Sequence, residues 1–162
     1  MNRLKYAIVT CGYLGASPVA PGTFGTLGGV AIAWALAPLD NYSLWVLLAA
    51  AVVSLIGIAL GDWAEQAAGD KDPGFFVLDE VAGYLLTIWW FDGPSLLALF
   101  VAFCAFRFFD IVKPPPIRSV ERVGGGAGIV LDDLVAGVYG LVLLMIPARL
   151  LFVDAPWSVV SK

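Results

Sequence analysis

A membrane-embedded, all-helical bundle of about five hydrophobic helices is the fold this sequence predicts, and three observations predict it. Hydrophobic residues make up 60% of the chain and charged residues 14%, with a mean hydropathy of +0.90; a soluble domain carries about a quarter charged residues. Residues 42–60 contain no charge, and at about 1.5 Å per residue such a run reaches across most of the ~30 Å hydrocarbon layer. Turn-forming clusters at 38–41, 92–95 and 114–116 cut the rest of the apolar sequence into helix-length pieces. The 162 residues fit one domain spanning 1–162.

Residues 1–14 are read as a short helix. Ser17-Pro18 and Pro21-Gly22 interrupt the apolar run that follows Arg3 and Lys5, so a cleavable leader is not expected. Residues 15–26, with two prolines and three glycines, are expected to turn rather than to form a regular element. They serve either as a buried connector or as a backbone N–H cradle for an anion, opening onto the next helix. A short first hydrophobic helix follows at 26–37, and a second, the clearest span, at 42–60. Residues 61–74 hold Asp62, Glu65, Asp70, Lys71 and Asp72 and are read as a solvated loop with a helical start. A third helix is expected at 75–91, ending in Trp89-Trp90, a pair suited to a membrane interface. Ser95 is a candidate N-cap for a fourth at 95–112, stopped by Pro114-Pro115-Pro116. A fifth runs from 129 to about 151.

With five alternating segments, Arg3, Lys5, Lys71, Lys113, Arg118 and Arg122 fall on one side, and the opposite loops hold Asp40 and Asp92 without a cation. The excess of basic residues places that first side in the cytoplasm.

Composition also excludes chemistry. The net charge of −4 and the lack of a basic arm argue against nucleic acid. With no histidine, His-ligated zinc and Ser/His/Asp triads are ruled out. Cys11 and Cys104 form no C-x-x-C motif and are expected as buried, unpaired thiols.

The same topology brings remote polar residues to one membrane level: residues 22–26, Asp79-Glu80, Arg107, Asp110, Lys113 and Asp132-Asp133. Charges beside span-grade sequence are costly, at an estimated ~2.5 kcal/mol or more each at a bilayer centre, so they mark working sites. Two acid pairs on neighbouring helices offer hard oxygen ligands to a shared ion, which favours Mg²⁺ or Mn²⁺ over zinc. Helix capping is the plainer reading of each pair. Arg107 and Asp110 are three apart and share a helix face, either as an internal ion pair or with Arg107 holding a phosphate oxygen. Lys113 and Arg118 flank the proline triplet as a phosphate clamp or a headgroup patch. Gly125 and Gly126, in the run before the fifth helix, are candidate backbone donors to phosphate. No P-loop lysine follows them.

Four motifs in order carry a resemblance: Pro-x-Ala-Pro-Gly-Thr-x-Gly-Thr at 18–26, Asp-Glu-x-x-Gly at 79–83, Phe-Arg-x-x-Asp-x-x-Lys-Pro-x-Pro-Ile at 106–117, and Gly-Gly-x-Gly-Ile-x-x-Asp-Asp-x-x-Ala-Gly at 125–137. They resemble bacterial phosphatidylglycerophosphatase A, over about residues 12–145. The resemblance implies a Mg²⁺-dependent, multi-pass enzyme of the inner membrane with its active site facing the cytoplasm. It implies removal of the terminal phosphate of phosphatidylglycerophosphate to give phosphatidylglycerol, the cardiolipin precursor. On that reading Asp79, Glu80, Asp132 and Asp133 hold the metal, and Asp79, Asp110, Asp133 and Arg107 are catalytic, Asp110 as ligand or general base. Arg107, Lys113, Arg118, Thr23, Thr26, Gly125 and Gly126 bind substrate phosphate. The partner is a membrane phospholipid, and no protein partner is evident. Two alternatives remain from the residues alone. One is an ion or proton transporter using intramembrane carboxylates. The other is an enzyme like the CDP-alcohol phosphatidyltransferases, whose D-G-x-x-A-R string is absent.

Overall fold

The computed structural model describes residues 2–91, 93–115, 117 and 123–151, with the side chains of all but 147–151. Six α-helices and no strand are found among these residues: α1 (Arg3–Val9), α2 (Pro21–Leu36), α3 (Tyr42–Ala68), α4 (Leu78–Ile88), α5 (Leu96–Val112) and α6 (Gly125–Leu151). A single 3₁₀ turn, Leu14–Ala16, lies between α1 and α2.

The fold is organised around a short central helix, α4. α4 has eleven residues, and Val81, Ala82, Tyr84, Leu85 and Ile88 expose no surface. A helix apolar on every side is stable only when surrounded, and α2, α3, α5 and α6 all pack against it. Tyr84 donates its hydroxyl to the Leu99 carbonyl of α5 (3.2 Å). This removes the polar penalty of an otherwise buried phenol.

Several boundaries differ from the sequence expectation. Residues 21–26 are helical, not a turn. Pro21 sits in the first turn of α2, where its missing N–H is harmless and its φ is already helical. α3 continues past residue 60 to Ala68, so Asp62 and Glu65 lie on a helix instead of in a loop; Gly69 ends it in the left-handed conformation. α4 is shorter than the expected 75–91. α6 begins inside the glycine run, four residues before 129, so Asp132-Asp133 lie two turns in and do not cap the helix. Ser95 does cap α5, its hydroxyl accepting the Ala98 N–H.

Two helices, α3 and the Gly125–Ile146 part of α6, are long and apolar enough to cross a bilayer. The remaining helices fall short of the ~20 residues a span needs. The cysteines are unpaired, but only Cys11 is partly buried; Cys104 lies exposed on α5, contrary to expectation. Burial pushes the Cys11 thiol above its ordinary pKa.

Candidate metal and phosphate site

The site exists because α4 and α6 approach to backbone contact. A Cβ on Gly83 would meet Phe106 and the Asp133 carbonyl, and one on Gly137 would meet the Gly83 carbonyl, so only glycine fits at this crossing. The Thr87 hydroxyl bonds to the Gly83 and Gly137 carbonyls (3.0 and 3.1 Å), tying the helices together. Gly140 faces Thr87 one turn further on, so the two helices run the same way. Asp79 precedes Gly83 by four residues and Asp133 precedes Gly137 by four. One helical turn back from the crossing, each helix therefore carries an acid at the same level.

That level is the floor of a cavity of about 280 Å³. α4 contributes Asp79 and Glu80, and α6 contributes Asp132 and Asp133. Arg107, Asp110, Ile111 and Lys113 come from the end of α5, Ala20, Pro21 and Gly22 from the start of α2, and Asp72, Gly74 and Phe76 from the loop before α4. Gly22 lies against the Glu80 carboxylate, and a Cβ there would push that side chain aside. Six acids face two cations across this cavity, a balance that calls for further positive charge.

The side chains divide into three sets. Carboxylate oxygens of Asp79, Glu80 and Asp133 lie within 4.8 Å of one another. Arg107 Nη1 stands 2.5 Å from Asp110 Oδ2 and 4.0 Å from Glu80 Oε1. Lys113 Nζ stands 2.5 Å from Asp132 Oδ2. Asp79 and Asp133 are almost wholly buried, at 6% and 3% exposure.

The first set fits a divalent cation. Glu80 Oε2 is buried and has no hydrogen-bond partner, an arrangement that is expensive unless a cation completes it. Three acidic oxygens within 4.8 Å match the ~4–5 Å across the coordination shell of Mg²⁺ or a similar hard ion.

Of the predicted residues, the structure brings Asp79, Glu80, Arg107, Asp110, Lys113, Asp132 and Asp133 to one cavity. Asp132 is turned to Lys113 and stands outside the three-carboxylate group, since its Oδ2 is taken by the ammonium. Thr26 is fully buried and donates its hydroxyl to the Gly22 carbonyl (2.8 Å), which removes it as a phosphate donor. Thr23 is near the cavity in sequence but does not line it. Gly125 and Gly126 do not line it either. The Gly126 N–H donates to Asp62 Oδ1 (2.8 Å), and a Cβ on Gly126 would meet the Ile58 carbonyl, so this glycine serves helix packing. Arg118 and Arg122 lie outside the described residues.

Sequence reasoning missed Asp72 at the cavity and Asp62 as the anchor of α6. Asp72 falls in the stretch expected to be a solvated loop, yet the turn at 70–74 directly precedes α4 and so hangs over its acidic N-terminus. Asp62 falls in the same expected loop, but α3 continues through it to Ala68.

The family model for phosphatidylglycerophosphatase A matches residues 7–148. A Bacteroides thetaiotaomicron protein provisionally named phosphatidylinositol-3-phosphatase is 36% identical over 137 residues, covering 82% of this chain and 86% of its own. Proteins named phosphatidylglycerophosphatase A from Haemophilus influenzae and Escherichia coli are 34% and 36% identical, over 77% and 76% of this chain and 77% and 72% of theirs. No solved structure matches. Matched over nearly its whole length, the chain belongs to the phosphatidylglycerophosphatase A family and is a phosphatase.

Proposed function

We propose that this protein hydrolyses the terminal phosphomonoester of phosphatidylglycerophosphate to phosphatidylglycerol and phosphate. The reaction depends on Mg²⁺ and takes place at the cytoplasmic face of the bacterial inner membrane. The observation that carries the reading is the convergence of Asp79, Glu80 and Asp133 on one point beside Arg107, in a cavity at the start of α4.

Asp79, Glu80 and Asp133 would hold the ion. When bound, Mg²⁺ neutralises phosphate oxygens and provides Lewis acidity. The chain's own groups do the rest. Arg107 is ion-paired with Asp110, but its buried Nη1 makes no hydrogen bond, so the guanidinium at the cavity has a donor to offer a non-bridging phosphate oxygen. Lys113, at the left-handed C-cap of α5, is held by Asp132 at the same rim and adds a second positive charge. Asp110 lines the same cavity as Asp133 and is a candidate to hold a proton released in the reaction. Gly22 keeps the wall of α2 free of a side chain, which leaves room for a phosphate beside Glu80. The terminal P–O bond breaks with addition of water, and the proton passes to the departing glycerol oxygen.

The test is phosphate release from phosphatidylglycerophosphate in detergent micelles with Mg²⁺ or with chelator, alongside phosphatidylinositol 3-phosphate. Turnover of the first lipid that stops on chelation and returns with Mg²⁺ is expected. Turnover that survives chelation, or a preference for the inositol lipid, overturns the metal or the substrate assignment respectively.

A further inference from the structure

We propose that the outer face of α5 is a guide for an acyl chain: the hydrocarbon of the lipid whose phosphate enters the cavity lies along Leu97, Phe100, Cys104, Phe108 and Ile111. The proposal rests on the reading of the cavity as a lipid-phosphate site and names where the rest of that lipid goes.

The five residues are spaced by three, four, four and three, so they form one stripe on a helix. Leu97, Phe100, Phe108 and Ile111 are 54%, 64%, 57% and 71% exposed, and Cys104 is exposed too. The stripe has no charge and no hydroxyl. The opposite side of α5 sends Ala98, Leu99, Ala102, Ala105 and Phe106 into the core. The deciding feature is Ile111. It is the most exposed aliphatic residue at the end of α5, and it also lines the cavity beside Arg107 and Asp110. An apolar track therefore runs without a polar break to the edge of the charged pocket. α3 is the contrast. It exposes a longer apolar face, including Leu48, Val52 and Leu55, but none of its residues lines the cavity.

The dimensions agree. The fourteen helical steps from Leu97 to Ile111 rise about 21 Å, enough to follow a chain through one leaflet of about 15 Å. Both lipid and stripe are already in hydrocarbon, so little apolar surface leaves water and the stripe adds little affinity. Its contribution is positional: it sets the angle and depth at which the phosphate meets Arg107 and the acids.

The test uses the full-length protein in micelles and two substrates, dioleoyl phosphatidylglycerophosphate and its water-soluble deacylated headgroup. Cys104→Trp places a bulky apolar group on the stripe, and Val52→Trp places the same group on α3. Both are compatible with a lipid-facing surface, and Cys104→Phe provides a smaller bump should the first fail to fold. For Cys104→Trp, kcat/KM on the acylated lipid is expected to fall about tenfold relative to the headgroup, as a displaced reacting group requires. Val52→Trp should leave that ratio unchanged. If wild type cleaves both substrates and the two variants shift the ratio alike, or Cys104→Trp lowers both substrates together, the guide is wrong and the function stands. If wild type cleaves neither, the functional reading falls and takes the guide with it.

Discussion

The two acidic pairs, Asp79-Glu80 on α4 and Asp132-Asp133 on α6, begin alike and end differently. In each, the first acid accepts the backbone N–H of the second through Oδ1, at 3.0 Å in both. Both pairs sit beside the same helix crossing. Yet on α4 both members join the three-carboxylate group, whereas on α6 only Asp133 does. The cause lies across the cavity. Lys113, thrown outward by a left-handed backbone (φ 44°), reaches Asp132. Arg107, already paired with Asp110, comes only to 4.0 Å from Glu80. An equivalent local geometry thus gives one pair that stays together in the three-carboxylate group and another that splits between that group and an ammonium.

The largest effect that tests this difference separates the two α6 acids. Asp133→Asn is expected to lower phosphate release by more than about a hundredfold, beyond what is typical for residues that only support a ligand, and Asp132→Asn by at least tenfold less. Steady-state assays at saturating Mg²⁺ read this out, and equal losses would erase the division of roles. Next comes the ion pair. Lys113→Met leaves Asp132 buried without its partner and should destabilise the protein by about 2 kcal/mol, less than a fully buried pair because Lys113 is about a quarter exposed. The double variant Lys113→Met/Asp132→Asn should recover most of that in a detergent melting experiment; additive losses would mean the two groups do not depend on each other. The smallest effect concerns how α6 is set in place. Asp62→Ala removes one hydrogen bond to the start of α6 and should cost about 1 kcal/mol with turnover retained, since Asp62 does not line the cavity. A large loss of turnover would instead put Asp62 in the chemistry.

Much of the site could be read before the fold was known. The residues that meet in the cavity are those whose charge conflicts with apolar surroundings, and charge in such sequence needs a partner or a task. Arg107 and Asp110 were legible as a pair because their spacing alone puts them on one helix face, and the structure shows that pair. The glycine run was misleading. Its composition suits a phosphate cradle as well as it suits a close helix crossing, and the difference depends on Ile58, Gly61 and Asp62, more than sixty residues earlier. Residues 21–26 misled for a related reason. Prolines and glycines read as breakers in isolation, but Pro21 is in the helix position that tolerates it, and Gly25 is small because Val77 presses against it.

What the sequence by itself determined is the inventory and its local arrangement. It supplied an apolar, histidine-free chain of helices, carboxylates for a hard ion, and cations within a turn or two of the end of α5. These follow from residue chemistry and from the i to i+4 geometry of a helix, both of which are short-range. Tertiary structure alone decided which α6 carboxylate joins the three-carboxylate group and which faces Lys113, that Asp72 overhangs the pocket, and that Ile111 joins an apolar face to it. Those outcomes depend on separations of a few ångströms between segments far apart in the chain. The Gly83–Gly137 contact sets one of them, the approach of Asp133 to Asp79, because the absence of two side chains determines how near α4 and α6 can come.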